Sequence, residues 1–231
     1  MKDFSKLEEI IKVKFKKQDF LAQALVHRSY LNENPGFELA HNERLEFLGD
    51  AVLELIVTEY LYLNYPNPEG ELTNWRASLV NARILSEIAR EIDLDDFLYL
   101  SKGEAKESLE SKSRQYILAN AFEAVVGAIY LDSGYDVAKG FISEFVITKL
   151  PYILEHGLYL DPKSRFQEIT QEKFGITPNY KVLEEIGPDH NKKFKVGVYL
   201  EKELIATGEG SSKQEAQVDA ALAGLREKGW Q

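Results

Sequence analysis

The chain has 231 residues, of which 44% are hydrophobic, no cysteine, and a formal net charge of −10. This length fits one or two domains with a sizeable core, and the lack of cysteine excludes disulfide bonds and thiolate metal sites. The sequence contains no run of about 18 apolar residues, so we predict no membrane-spanning helix. The first twenty residues are too mixed in charge for a signal peptide. We therefore expect a cytoplasmic protein with no membrane partner.

The acidic charge is concentrated in the first part of the chain. Residues 1–160 contain 17 basic and 26 acidic residues, a net charge of −9, whereas residues 161–231 contain 11 and 12, a net charge of −1. Net negative charge alone argues against a nucleic-acid partner, because binding to a polyanion requires a basic surface. The uneven distribution weakens that argument for the second part of the chain.

The first part of the chain is predicted to be helical throughout. Apolar residues recur there at helical spacing, and no segment alternates as a strand does. The predicted helices cover residues 3–12, 17–29, 41–63, 72–92, 116–131 and 136–154. The polar region after the fourth helix supplies the basic side chains that we expect to contact an anionic partner, namely Lys102, Lys106, Lys112 and Arg114.

Three carboxylates form a stripe on the third predicted helix. Glu43, Glu46 and Asp50 are spaced i, i+3 and i+7, so they project from one side. Their mutual repulsion would be relieved by a hard divalent cation, which prefers oxygen ligands. The alternative is a solvated acidic face, but the neighbouring residues are mostly apolar. Gly49 in the same helix costs roughly 1 kcal/mol against alanine, which indicates a close approach by another backbone or a ligand.

A second polar pair lies in a helix that is otherwise apolar. Residues 117–132 read ILANAFEAVVGAIYLD, and their polar members Asn120 and Glu123 lie at i and i+3 on one face. A helix that is apolar on nearly all sides is expected to be buried, and a buried carboxylate needs a partner. We therefore predict that this helix crosses the acidic one in a shared core and that their polar groups meet at a metal ion.

Three sequence blocks resemble bacterial ribonuclease III, the endonuclease specific for double-stranded RNA. They are NERLEFLGD at residues 42–50, EGELTNWRASLV at residues 69–80, and the buried helix at residues 117–132. The resemblance covers nearly the whole chain. It implies Mg²⁺-dependent hydrolysis of an RNA duplex, for which Mn²⁺ may substitute, and no small-molecule cofactor. It also implies 5′-phosphate and 3′-hydroxyl ends with short 3′ overhangs, and a role in ribosomal and messenger RNA maturation.

The same resemblance assigns roles to four residues at the predicted helix crossing. Glu46 and Glu123 would hold the metal, and Asp50 would orient and deprotonate the attacking water, so that Asp50 and Glu123 are the catalytic pair. Asn120 completes the metal set but departs from the family, which has aspartate there. Loss of that charge implies weaker Mg²⁺ binding. Two hypotheses follow: a variant site that still cleaves, or a cleavage-impaired regulator that binds double-stranded RNA.

Further residues are assigned to the cleft and to a dimer interface. The resemblance places Glu43 and Glu69 near the cleft, although each is equally well explained as a surface carboxylate or a helix N-terminal charge. Phe47 would enter a socket on a second subunit of a homodimer, whose two sites would each cut one strand. Without the resemblance, a core phenylalanine is the better interpretation of Phe47. His27 is interpreted as a structural histidine.

After a linker at residues 151–162 the periodicity changes. A helix over 163–174, strands over 180–185, 193–199 and 204–208, and a helix over 211–228 are predicted. This α-β-β-β-α order resembles a double-stranded-RNA-binding domain, which reads the shape of A-form RNA. The expected fold class is therefore multi-domain, with an all-α endonuclease domain at residues 1–155 followed by an α+β RNA-binding domain at residues 161–231.

The resemblance to this RNA-binding domain also carries over contact residues. The first helix would reach a minor groove, the loop with sequence GPDHNKK would enter another, and the last helix would meet phosphate at its N-terminus. The residues concerned are Ser164, Gln167, Glu168 and Gln171, then His190, then Lys213. Relatives have more lysines beside Lys213, so weaker RNA binding and a shallower salt dependence are expected.

A remaining alternative for the whole chain is a helical interaction protein, in which the acidic stripe is only a solvated surface.

Overall fold

The computed structural model describes residues 2–159, 161–188 and 192–230. The chain forms two compact units, Met1–Tyr159 and Leu160–Gln231. The first is helical, and the second combines a three-stranded antiparallel sheet with two helices. The predicted fold class, an all-α domain followed by an α-β-β-β-α domain, is confirmed. Within the described ranges, no helix combines the length and apolarity needed to cross a bilayer.

Over residues 2–159 the structure describes ten α-helices in the first unit, and two of them, with 22 residues each, are longer than the others. They are α1 (Ser5–Ile11), α2 (Gln18–Ala24), α3 (Arg28–Glu33), α4 (Glu43–Asn64), α5 (Glu69–Leu79), α6 (Ala82–Glu91), α7 (Leu94–Phe97), α8 (Lys112–Ser133), α9 (Tyr135–Phe145) and α10 (Leu150–Glu155). Short 3₁₀ turns at Glu104–Lys106 and Ile147–Lys149 connect some of them.

Capping residues interrupt two of the predicted helices. The helix predicted over 72–92 breaks at Asn81, whose side-chain oxygen accepts a hydrogen bond from the backbone N–H of Ile84 and begins α6. The helix predicted over 17–29 breaks before His27, which is extended and caps α3. A side chain that caps a new helix satisfies backbone groups that a continuous helix would satisfy internally. Both continuous predictions were wrong for this reason.

The two long helices, α4 and α8, cross at a pair of glycines in the middle of the core. A Cβ atom on Gly49 would lie 1.7 Å from the carbonyl oxygen of Glu123, and one on Gly127 would lie 2.3 Å from the carbonyl oxygen of Leu45. The backbones therefore pack directly against each other, as the position of Gly49 predicted. Around the crossing α8 is buried on most sides, with fully enclosed side chains such as Phe122 and Val125.

The second unit packs two helices on one face of its sheet. The elements are α11 (Pro162–Phe174), β1 (Asn179–Ile186), β2 (Lys193–Leu200), β3 (Glu203–Gly210) and α12 (Lys213–Glu227). The strands pair antiparallel in the order β1-β2-β3, with Val182 opposite Val196 and Val198 opposite Ala206. Phe166 of α11 and Leu225 of α12 are buried against the middle strand. The predicted contact residue His190 lies outside the described residues.

Candidate active site

The helix crossing gathers the polar residues that the sequence singled out on two distant segments. Glu43 and Glu46 lie in the first turn of α4, and Asp50 follows one turn later. Burial raises the pKa of Glu46, the charges of Glu43 and Asp50 raise it further, and a hydrogen bond from the side chain of Asn120 opposes the rise. Asn120 on α8 therefore lies close enough to Glu46 on α4 to influence its ionisation. The predicted juxtaposition of the two polar sets is therefore present in the structure.

Glu123 is the most perturbed carboxyl group at the crossing. Burial, followed by the charges of Asp50 and Glu46, raises its pKa to about 8. Desolvation and neighbouring like charges both disfavour the ionised form of an acid, so these causes act in the same direction. Near neutral pH, and without a cation, Glu123 is consequently protonated in most molecules. Acids perturbed in this way are concentrated at functional sites.

The raised pKa of Glu123 makes the stability of the metal-free chain depend on pH. Between the ordinary value of 4.5 and about 8, the folded chain holds a proton that the unfolded chain releases, so stability falls as pH rises through this window. We expect the melting temperature in a chelator to fall from about pH 5 to about pH 8.5, and Glu123→Gln to flatten that fall. A wild-type profile that rises, or one that Glu123→Gln leaves unchanged, would contradict this assignment.

The residues at the crossing fit a divalent cation by their chemistry. Among the residues that the structure describes, no three histidine, cysteine or acidic side chains already form a metal-holding cluster. The crossing nevertheless offers three carboxylates and one amide, and oxygen ligands of this kind suit Mg²⁺. Burial, followed by repulsion from neighbouring carboxylates, raises the pKa of both Glu46 and Glu123. A bound cation would relieve the repulsion.

Glu43 is flanked by two basic side chains that the sequence analysis did not single out. Its carboxylate lies 3.4 Å from Nη1 of Arg28 and 3.7 Å from Nδ1 of His41. Arg28 belongs to a different helix, so no helical spacing in the sequence could have associated it with the acidic stripe. Glu43 therefore connects the acidic stripe to a cation on α3.

Glu69 lies apart from the acids at the crossing. It starts α5, accepts a hydrogen bond from Oγ1 of Thr73, and lines a surface groove of about 670 Å³ with Arg76. Its charge is not among those that raise the pKa of Glu46 or Glu123. The structure thus associates Glu43, but not Glu69, electrostatically with the catalytic candidates.

The solvent exposure of two other side chains, Phe47 and Arg114, differs from what the sequence alone indicated. Phe47 is 82% exposed, so the core interpretation of this residue is wrong. It projects beside a groove lined by Phe20, Leu48 and Leu131. The prediction that Arg114 contacts an anionic partner is also wrong. This residue is only 5% exposed, and its guanidinium lies 2.9 Å from the carboxylate of Asp95.

In the second unit, the side chains predicted to contact RNA are exposed on two helices. Four of them form one stripe along α11, namely Ser164, Gln167, Glu168 and Gln171. Lys213 begins α12, which Ser212 caps by accepting a hydrogen bond from the backbone N–H of Glu215. The Nζ atom of Lys213 lies 3.0 Å from the carboxylate of Glu185 on β1. The sequence analysis missed this acidic partner.

Comparisons with known proteins match a different family to each of the two units. A family profile described as Ribonuclease-III-like matches residues 17–150, and a double-stranded RNA binding motif matches residues 162–228. A curated relative from Borreliella afzelii, named Ribonuclease 3, is 45% identical over 223 residues, which are 96% of this chain and 90% of the relative. Another Ribonuclease 3, from Dehalococcoides mccartyi, is 41% identical over 98% of this chain and 95% of its own length.

The fold of the first unit is also similar to a solved structure. The nuclease domain of ribonuclease III from Campylobacter jejuni superposes with a TM-score of 0.55 at 36% sequence identity. The match covers 64% of this chain and 99% of that domain. That nuclease domain shows structural flexibility in a region involved in dimer formation.

Proposed function

Because the chain belongs to the ribonuclease III family and is an endoribonuclease, we propose that it hydrolyses phosphodiester bonds in double-stranded RNA with a divalent cation. The observation that carries this proposal is the mutual electrostatic influence of acids from α4 and α8 at one helix crossing. We assign cleavage to residues 1–155 and RNA binding to residues 161–231. The expected products carry 5′-phosphate and 3′-hydroxyl ends with short 3′ overhangs, as in ribosomal and messenger RNA maturation.

The cation would be held by carboxylates of Glu46, Asp50 and Glu123, with the amide oxygen of Asn120 as a further donor. When bound, Mg²⁺ or Mn²⁺ neutralises charge on the scissile phosphate and lowers the pKa of water. Asp50 orients the attacking water and accepts its proton. Asn120 steadies Glu46 through the hydrogen bond between them. Burial of Glu123 keeps bulk water away from its carboxyl group, which strengthens the influence of nearby charges on that group.

Duplex RNA is recognised by the second unit in this proposal. The exposed stripe on α11 supplies hydroxyl and amide groups for 2′-hydroxyls in a minor groove. Lys213 at the start of α12 supplies a positive charge for phosphate, aided by the backbone N–H groups of the helix end. Recognition of this kind reads A-form shape and little base sequence. The 11 basic residues of this unit are offset by 12 acidic ones, which implies weak binding with a shallow salt dependence.

We also propose that the enzyme acts as a homodimer. An apolar ring that is 82% exposed, that of Phe47, is costly to leave in water, and it lies beside a groove of apolar and polar residues. A symmetric pair in which each Phe47 enters the groove of the other chain would bury both rings. Two sites related by a twofold axis could then cut the two strands of one duplex. Sedimentation equilibrium that gave the mass of a single chain would contradict this part of the proposal.

The alternative is a regulator that binds double-stranded RNA without cutting it. The observation in its favour is Asn120, which brings no charge to the set of acids at the crossing. The three remaining acids, Glu46, Asp50 and Glu123, favour activity. A cleavage assay on a long duplex RNA with Mg²⁺ or Mn²⁺ separates the two functions, because only the enzyme yields shorter duplexes.

The same assay tests the role of Asn120. Asn120→Asp adds a charge to the acidic set, so we expect it to cleave faster at low Mg²⁺, with a half-maximal concentration lowered about threefold to tenfold. Calorimetric Mn²⁺ binding should tighten in parallel, which provides a measurement independent of turnover. No cleavage by the folded wild-type chain over hours would support the regulator, and unchanged metal binding in Asn120→Asp would contradict the role given to this position.

A further inference from the structure

An acidic side chain occupies the end of the RNA-binding unit where phosphate is expected. Glu185 lies near the end of β1, and its carboxylate is 3.0 Å from Nζ of Lys213 and 3.5 Å from Nζ of Lys192. Lys213 is the first residue of α12, and Lys192 immediately precedes β2. One carboxylate thus contacts two lysines that come from different parts of the fold.

The surroundings of Lys213 hold its ammonium group in this position. The Nζ atom of Lys213 lies 5.6 Å from the ring centroid of Phe194, a cation–π arrangement that restrains the side chain from a second direction. Hydrogen bonding to Lys213 is the largest influence that lowers the pKa of Glu185, so this carboxylate stays ionised at neutral pH. The start of a helix also favours a negative group through its free N–H groups. The carboxylate of Glu185 therefore already lies beside the ammonium group to which we expect a phosphate to bind.

We infer that Glu185 stands in for an RNA phosphate in the free protein and thereby limits the affinity of the chain for duplex RNA. This inference rests on the proposed binding of double-stranded RNA. A phosphate that approaches Lys213 must displace the carboxylate or remain beside its negative charge. Because Glu185 already neutralises the lysine, RNA binding also releases fewer condensed counterions than the number of lysines suggests. Both effects predict weak binding with a shallow salt dependence.

The test is duplex RNA binding by the full chain carrying Glu185→Gln. Glutamine keeps the size of the exposed side chain and removes its charge, so folding should be preserved. We measure dissociation constants in a chelator, to prevent cleavage, at several salt concentrations. At low salt we expect affinity to increase about threefold to tenfold, and the slope of log K against log salt to become steeper by up to about one unit.

Two control variants separate the local effect from a change in net charge. Glu203→Gln removes the same charge, but its carboxylate pairs at 3.7 Å with Lys228, at the opposite end of α12 from Lys213. It should bind RNA nearly as the wild type does. In a chain that also carries Lys213→Ala, Glu185→Gln should give a much smaller gain in affinity, because the lysine that it would release is gone.

The outcomes distinguish this inference from the proposed function. Equal affinities and salt slopes for Glu185→Gln and Glu203→Gln would overturn the role of Glu185, since bulk charge would then explain any change. A gain from Glu185→Gln that persists undiminished with Lys213→Ala would overturn it as well. Failure of the wild-type chain to bind duplex RNA would instead overturn the proposed function, and this inference with it.

Discussion

Replacing Gly49 by alanine is expected to lower the free energy of unfolding of the helical unit by about 3 kcal/mol or more. The new Cβ atom would lie 1.7 Å from the carbonyl oxygen of Glu123 and 2.9 Å from the backbone nitrogen of Gly127. Both contacts are with backbone, which cannot rotate away as a side chain can. The two long helices would have to separate, which would open the core and displace the acids from one another.

Thermal unfolding followed by circular dichroism measures this effect, which corresponds to a fall in melting temperature of roughly 6–12 °C. The matched control is Gly140→Ala in α9, where a Cβ atom meets nothing within 4 Å. That substitution should leave stability unchanged or raise it by up to about 1 kcal/mol, because alanine is the better helix former. A Gly49→Ala chain as stable as the Gly140→Ala chain would mean that α4 and α8 do not pack backbone to backbone.

The existence of the helix crossing could be predicted from sequence because two independent signals agree. An acidic stripe in apolar company and a polar pair in an apolar helix each required a partner, and Gly49 indicated where backbones meet. The reciprocal role of Gly127 was not predicted. A glycine in a helix shows that a side chain is absent, but the identity of the opposing segment depends on long-range packing.

Helix boundaries could be predicted less well than helix existence. Asn81 and His27 each end one apolar pattern and begin another, and periodicity alone does not show whether a capping side chain is used. Contacts between distant segments were similarly invisible. The pairing of Arg114 with Asp95 and the contact of Arg28 with Glu43 join different helices, so charge alone suggested an exposed basic surface where Arg114 is buried.

In the RNA-binding unit the order of elements was predictable, whereas its electrostatics were not. Alternation and turn residues place the three strands, and the family resemblance supplies contact positions. The proximity of Glu185 to Lys213 depends on the end of β1 lying beside the start of α12, which is a property of the folded sheet. A count of lysines therefore overestimates the positive charge available to RNA at this end.

The second large effect concerns Glu123, the most perturbed acid at the crossing. Glu123→Gln keeps the shape of the side chain but removes the charge that would hold the cation, so we expect cleavage to slow at least about a thousandfold. Duplex binding in a chelator should be unchanged, because Glu123 is not among the residues assigned to contact RNA. The matched control is Glu87→Gln on α6, whose carboxylate pairs with Arg83 at 3.2 Å on the surface.

Single-turnover cleavage of a duplex RNA by the wild-type, Glu123→Gln and Glu87→Gln chains, with Mn²⁺ affinity measured by calorimetry on the same samples, tests whether α4 and α8 jointly build a catalytic metal site. The expected result is loss of both cleavage and Mn²⁺ binding in Glu123→Gln alone, with duplex affinity retained by all three chains. Wild-type cleavage and Mn²⁺ affinity in Glu123→Gln would contradict the shared site and place the chemistry elsewhere in the molecule.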